Sequence, residues 1–144
     1  MSLYADIKNA VKTTWTAGWP HGGTYLVLWH ENLSPIVPDV GSVSHWLHLS
    51  VSMGVDTIRA FGAGRRANER LHIGNVDIRV FTAVGIGEDT ALDLLSDAVN
   101  VFRSARVGAL SFIGDIASPD EGGTEDGAWW MRSALVAFEY RFTG

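Results

Sequence analysis

Between His45 and Met53 the chain places an apolar side chain at every second position. Leu47, Leu49, Val51 and Met53 alternate with Trp46, His48, Ser50 and Ser52. Successive side chains of a strand point to opposite faces, so this pattern demands a sheet with one covered face and one polar face. Two further segments repeat the signature. From about Ile73 to Val84, Val76, Ile78, Val80, Thr82 and Val84 share a face, with Asp77, Arg79 and Phe81 on the other. From Trp129 to Phe142, Val136, Phe138, Tyr140 and Phe142 line one face, with Glu139 and Arg141 opposite. Tyr25–Trp29 is a continuous β-prone run, expected to be a strand covered on both faces. Val107 to Ile116 reads as one more strand.

The covering layer is helical. Leu3, Ile7, Ala10, Val11 and Trp15 recur on one face of an opening helix that Ser2 can cap, with Lys8 and Lys12 on its wet side. Gly18, Pro20, Gly22 and Gly23 end it. A second helix starts near Asp89 or Thr90 as its cap. Leu92, Leu95, Ala98, Val99 and Phe102 form its apolar stripe. Glu88, Asp89 and Asp93 stand near its start and Arg103 and Arg106 near its end, an order that complements the helix dipole. The expected fold is therefore α+β, in the order α-β-β-β-α-β-β. Two helices pack on one mixed, mostly antiparallel sheet in a single domain spanning residues 1–144. Leu33 to Val43, with Pro35 and Pro38, reads as an irregular crossover. Gly54 interrupts the second strand. Gly62 to Arg70 reads as a loop, and Ser118 to Gly127 as a long acidic hairpin loop.

Composition supports one self-sufficient core. Hydrophobic residues make up 47% of the 144 positions and charged residues 19%, which excludes a disordered chain. The net charge of −5, with 11 basic residues in no dense run, argues against a generic nucleic-acid binder. The absence of cysteine excludes disulfides and thiolate chemistry. No apolar run approaches a membrane span. The start, Met1 to Asp6, lacks the marks of a signal peptide, so the chain is expected to stay in the cell that makes it.

The chemistry-bearing residues assemble into nothing catalytic. His30 beside Glu31, and His45 with His48, are the clustered metal-type residues. On one strand His45 and His48 fall on opposite faces and cannot chelate an ion together. Gly85-Ile86-Gly87 sits where a phosphate-binding turn sits, yet Glu88 and Asp89 follow it and no nucleotide signature is completed. Asp115, Asp120 and Glu121 lack the rigid support an acid pair needs. No cofactor, no metal and no enzymatic activity are expected. Six tryptophans are present. Most are expected in the core, while the pair Trp129-Trp130 sends one indole to each face of its strand. What remains is an arginine-bearing loop and an acidic loop, which suit docking between copies.

The chain resembles the tail terminator proteins of long-tailed phages and prophages. The resemblance is carried by the opening amphipathic helix, Trp29-His30-Glu31-Asn32 before a proline-containing segment, and His45 to Met53. It continues through Ile73 to Phe102, a strand entering a helix that ends Val101-Phe102, and the closing strand pair. It implies a ring, usually hexameric, that caps the tail tube, ends its polymerisation and meets the connector at the head. The expected partners are further copies, the major tail tube protein and the connector, at the head-proximal end of the virion tail. The family's glycine-led turn before the third strand is matched to Gly74. Arg65, Arg66 and Arg70 on one loop, and Asp120, Glu121, Glu125 and Asp126 on the other, are the expected contact residues. A head-closure or neck protein, or a small ligand-binding or enzymatic α+β domain, are the alternatives.

Overall fold

The computed structural model describes residues 3–29, 43–60, 69–103, 105–117, 122–123 and 129–143. Helix α1 runs Leu3–Gly18, followed by β1 (Leu26–Trp29), β2 (His45–Ala60) and β3 (Glu69–Ala83). Helix α2 (Asp89–Phe102) then leads to β4 (Arg106–Val107), β5 (Leu110–Ala117), β6 (Gly122–Gly123) and β7 (Trp129–Thr143). The strands form one sheet in the order β1-β2-β3-β7-β5-β4, with β6 also pairing with β7. Only β1 and β2 run parallel; the other pairs are antiparallel. This is the α+β architecture read from the sequence, with two-residue strands β4 and β6 added.

The period-two pattern settles which face the helices cover. Leu47, Leu49, Val76, Ile78, Val80, Ala134, Val136 and Phe138 are buried against Ile7, Val11 and Trp15 of α1 and Leu94, Leu95, Ala98 and Phe102 of α2. His48 and Ser50 are half-buried on the opposite face. Val51, toward the end of this pattern, is only half-buried and Met53 is exposed. The cause is a break in register between Ser52 and Val55, where a bulge inserts a residue and bends the strand.

The bulge is built on close backbone contact. A Cβ on Gly54 would lie well inside van der Waals contact of the Ile73 carbonyl, and one on Gly74 would meet the Ser52 oxygen at 2.5 Å and Phe138 Cζ at 2.6 Å. The Gly54 amide donates to His72 Nε2 at 3.3 Å. Gly74 is thus an interior residue of β3, paired with Phe138, and not a turn before it. Beyond the bulge β2 continues to Ala60, and β3 begins at Glu69, so Glu69 and Arg70 are strand residues and not loop.

Other expectations are corrected by their surroundings. β1 is an edge strand, with Leu26 exposed, and is not covered on both faces. On α2 the buried stripe is Ala91, Leu94, Leu95, Ala98, Val99 and Phe102, while Leu92 faces solvent. Its N-cap is Glu88, which makes no side-chain capping bond, in place of Asp89 or Thr90. Arg103 is the C-cap and Arg106 belongs to β4. Val84 lies outside β3 in the turn. Lys12 is half-buried, its ammonium 5.5 Å from the centre of the Trp29 ring.

The face expected to be polar carries a second apolar cluster. Trp46, Phe81, Ala83 and Trp129 are buried there together. Trp46 stacks on Phe81 at 4.1 Å between ring centres and meets Trp129 edge-on at 6.0 Å. The two neighbouring indoles of β7 separate as expected, Trp129 at 1% exposure and Trp130 at 54%.

Truncating Leu49 to alanine is expected to cost about 2–5 kcal/mol, because it empties a fully enclosed site. Gly54→Ala is expected to cost about 1–3 kcal/mol or more, by forcing β2 and β3 apart. Ser50→Ala is expected to leave stability within about 0.5 kcal/mol. Urea unfolding followed by tryptophan fluorescence checks all three. Equal losses at Leu49 and Ser50 contradict the face assignment.

Candidate assembly surface

The sheet has two faces, two edges and two ends, and the buried clusters account for the helix-covered face and part of the other. Large apolar side chains remain in solvent elsewhere. Ile73 and Leu135 project from the uncovered face. Ile113 and Ile116 stand on β5. β4 pairs with β5 only at Leu110 and Ser111, so among the described residues the outer edge of β5 beyond Phe112 has no strand beside it. A bulge between Phe112 and Gly114 breaks the regularity of that edge, a device that restrains indiscriminate pairing.

At the opposite end of α2, the β3–α2 turn is made by Gly85 and Gly87, with φ of 95° and 90°. These left-handed angles suit glycine and let the chain reverse sharply into the helix. The turn leaves Val84, Ile86 and, one helical turn on, Leu92 exposed. Beside it lies a cleft of about 300 Å³, lined by Thr82, Gly85, Gly87, Ala91, Trp130 and Arg132 among others. Arg132 donates from Nε at 3.2 Å and Nη2 at 2.9 Å to Glu88 Oε2 across its rim. The Thr82 hydroxyl is buried with no hydrogen-bond partner among the described residues. At the other pole Arg103 forks onto Asp115, Nε to Oδ1 at 3.3 Å and Nη2 to Oδ2 at 3.2 Å, and also reaches Asn100 at 2.9 Å.

Among the described residues the histidines form no shared site; His30 and Glu31 lie outside them. His45 is buried on the helix-covered face, its Nδ1 2.9 Å from Ser44 Oγ and its Nε2 unpartnered among the described residues. Burial lowers its pKa below the ordinary 6.5, because the imidazolium loses solvation. His48 lies on the opposite face, as the strand period requires. His21 Nε2 meets Asp97 Oδ2 at 2.7 Å and so ties the segment after α1 to α2. Among the described residues no group of three or more metal-type side chains is placed to hold an ion, and no helix is long and apolar enough to cross a membrane.

Of the contact residues expected from sequence, Arg70 is placed in β3, between Ile58 and Phe142, half-buried and already engaged. It therefore does not sit on a loop beside Arg65 and Arg66. Those two, with Asp120, Glu121, Glu125 and Asp126, lie outside the described residues. The apolar side chains around the α2 start were missed. Ile86 between two glycines was the available signal, since an isoleucine in a tight turn has little chance of burial.

No family model matches the sequence, and no curated protein does. Several solved structures are similar; one of them matches over 95% of this chain and 97% of its own, with a TM-score of 0.60 and 14% identity. At that identity the likeness concerns the fold alone.

His45 gives the fold a dependence on pH. Its folded-state pKa is depressed, so the unfolded chain binds the proton more readily and stability falls with pH. The contribution is complete above about pH 6.5 and is lost from there down to the lower folded value. Urea midpoints of the wild type and His45→Gln, compared at pH 7.5 and 5.5, are expected to show a smaller drop for the variant. Identical drops contradict a neutral buried His45.

Proposed function

We propose that this protein is a non-enzymatic virion assembly protein, a tail terminator. In this reading it forms a ring on the finished tail tube, stops further polymerisation and offers a surface to the head connector. The observation that carries the reading is the set of large apolar side chains left bare at one end and one edge of a sheet whose core is already closed. Ile86, Ile113, Ile116 and Trp130 are all more than half exposed. Exposed apolar side chains grouped beside polar rims suit protein contact, and aromatic anchors are favoured there. The element order supports the reading as well, since it follows the pattern on which the resemblance to tail terminators rests. Arg65 and Arg66 are further proposed contacts, to acidic groups on a neighbouring copy or on the tube end.

Tail assembly with and without the protein tests this reading. In its presence tails are expected to end at a fixed length with a terminal ring; in its absence tubes are expected to grow on. Tails that stop at the same length without it overturn the reading. The double variant Arg65→Glu, Arg66→Glu is expected to melt like the wild type, because exposed charges contribute little to folding. It is also expected to cap tubes poorly, because like charges then face each other. Normal capping by a folded double variant removes these two residues from the interface.

A further inference from the structure

The two poles of α2 differ in charge, and each carries apolar side chains that the fold leaves bare. At the N-terminal pole Val84, Ile86, Leu92 and Trp130 stand around the cleft. Glu88 there is neutralised by Arg132. Asp89 and Asp93 are exposed and make no ion pair among the described residues, so the described part of this pole is net negative. At the C-terminal pole Arg103 is neutralised by Asp115. Exposed Arg106 makes the described part of this pole net positive. Along the open edge of β5, Ile113 and Ile116 stand on either side of Asp115 at 53% and 72% exposure, Ile116 turned with its partner Leu135 toward the uncovered face.

We infer that the cleft at the N-terminal pole receives the β5 edge of a second copy, with Ile113 seated beside Trp130 and Arg106 facing Asp89 and Asp93. The inference rests on the self-assembly in the reading above and names the surface that performs it. Charge selects this pairing over the symmetric ones. Either pole against its own kind sets like charges together, whereas N-terminal against C-terminal pole sets opposite charges together. Both surfaces belong to one subunit and lie at the two ends of a helix about 21 Å long. The contact is therefore heterologous: each copy gives one surface and receives the other, and the chain of copies closes into a ring when the rotation permits. The Arg132–Glu88 pair fixes one wall of the cleft, and the positive-φ glycines of the turn keep Cβ atoms from narrowing its mouth.

The test uses one variant on each surface, Ile86→Asp and Ile113→Asp, both at exposed positions and both checked by near-ultraviolet circular dichroism. Trp130→Ser and Ile116→Asp form a second pair should either of the first misfold. Analytical ultracentrifugation of the wild type is expected to show concentration-dependent association that weakens as salt rises. Each variant alone is expected to associate about thirtyfold more weakly or worse, the loss of an interface anchor. Their equimolar mixture is expected to form a one-to-one dimer and nothing larger, because only one intact cleft can meet one intact β5 edge. Folded variants that associate like the wild type overturn this surface, and so does a wild type that stays monomeric at every concentration. Neither result bears on capping, which the tail-length assay judges separately. A mixture no more associated than its components also rules out the heterologous pairing.

Discussion

The close approach of β2 and β3 around Gly54 and Gly74 sets the shape of the whole sheet. Strands of 15 and 16 residues accumulate a large right-handed twist. The register break at Ser52/Val55 adds to that twist and bends β2 where the Gly54 backbone lies against Ile73. Gly74 on the partner strand leaves room for Phe138 of β7 to lie where its own side chain would have been, so one small residue serves two neighbouring strands. His72 completes the joint. Its ring accepts the Gly54 amide, packs near Phe138 and meets Tyr4 of α1 edge-on. The bulge thus fixes the first helix as well as the sheet.

This sheet is covered on more than one face. The helices close the main core, but at the end where β1, β2, β3 and β7 run together the opposite face curls over Trp46, Phe81, Ala83 and Trp129. Stacked aromatic rings give this cluster its area and geometry. The indole nitrogens of Trp46 and Trp129 are buried with no partner among the described residues, a cost that the ring burial outweighs. The same curl turns Trp130, the next residue, outward on the other side of the strand and creates the wall of the cleft.

Alternation was legible wherever strand neighbours were regular. Leu47, Leu49, Val76, Ile78, Val80, Val136 and Phe138 all face the helices as the pattern requires. It lost its meaning where geometry changed the count. Met53 follows Val51 in period but sits at the bulge, and Val84 follows Thr82 but falls in the turn. Trp46 shared its period with His48 and two serines. Nothing local separates a buried tryptophan from an exposed one there, since its partners Phe81 and Trp129 are distant in sequence. On α2 the choice between Leu92 and Leu94 turned on which side of the helix met β3 and β7. Two leucines two apart leave that open. Arg70 was read with Arg65 and Arg66 as one basic loop because glycines precede it; pairing with Phe142 and Ile58, a tertiary matter, draws it into β3.

The charges of α2 and its bare apolar residues need different explanations. Acidic groups at a helix start and basic groups at its end stabilise the helix itself, by about 0.3–1 kcal/mol each, so Asp89 and Arg103 have a use within one subunit. Glu88 and Arg132, and Arg103 and Asp115, likewise join elements of the same chain. No such internal gain attaches to Ile86, Ile113 or Ile116, which the fold holds in water at a cost that burial would remove. A turn of two positive-φ glycines tolerates a polar residue between them, and an open β5 edge is better shielded by lysine than by isoleucine. The proposed contact between copies would account for the apolar choice at both poles, because it covers them outside the subunit. In that proposal the helix charges, present for the helix's own stability, also decide which pole meets which.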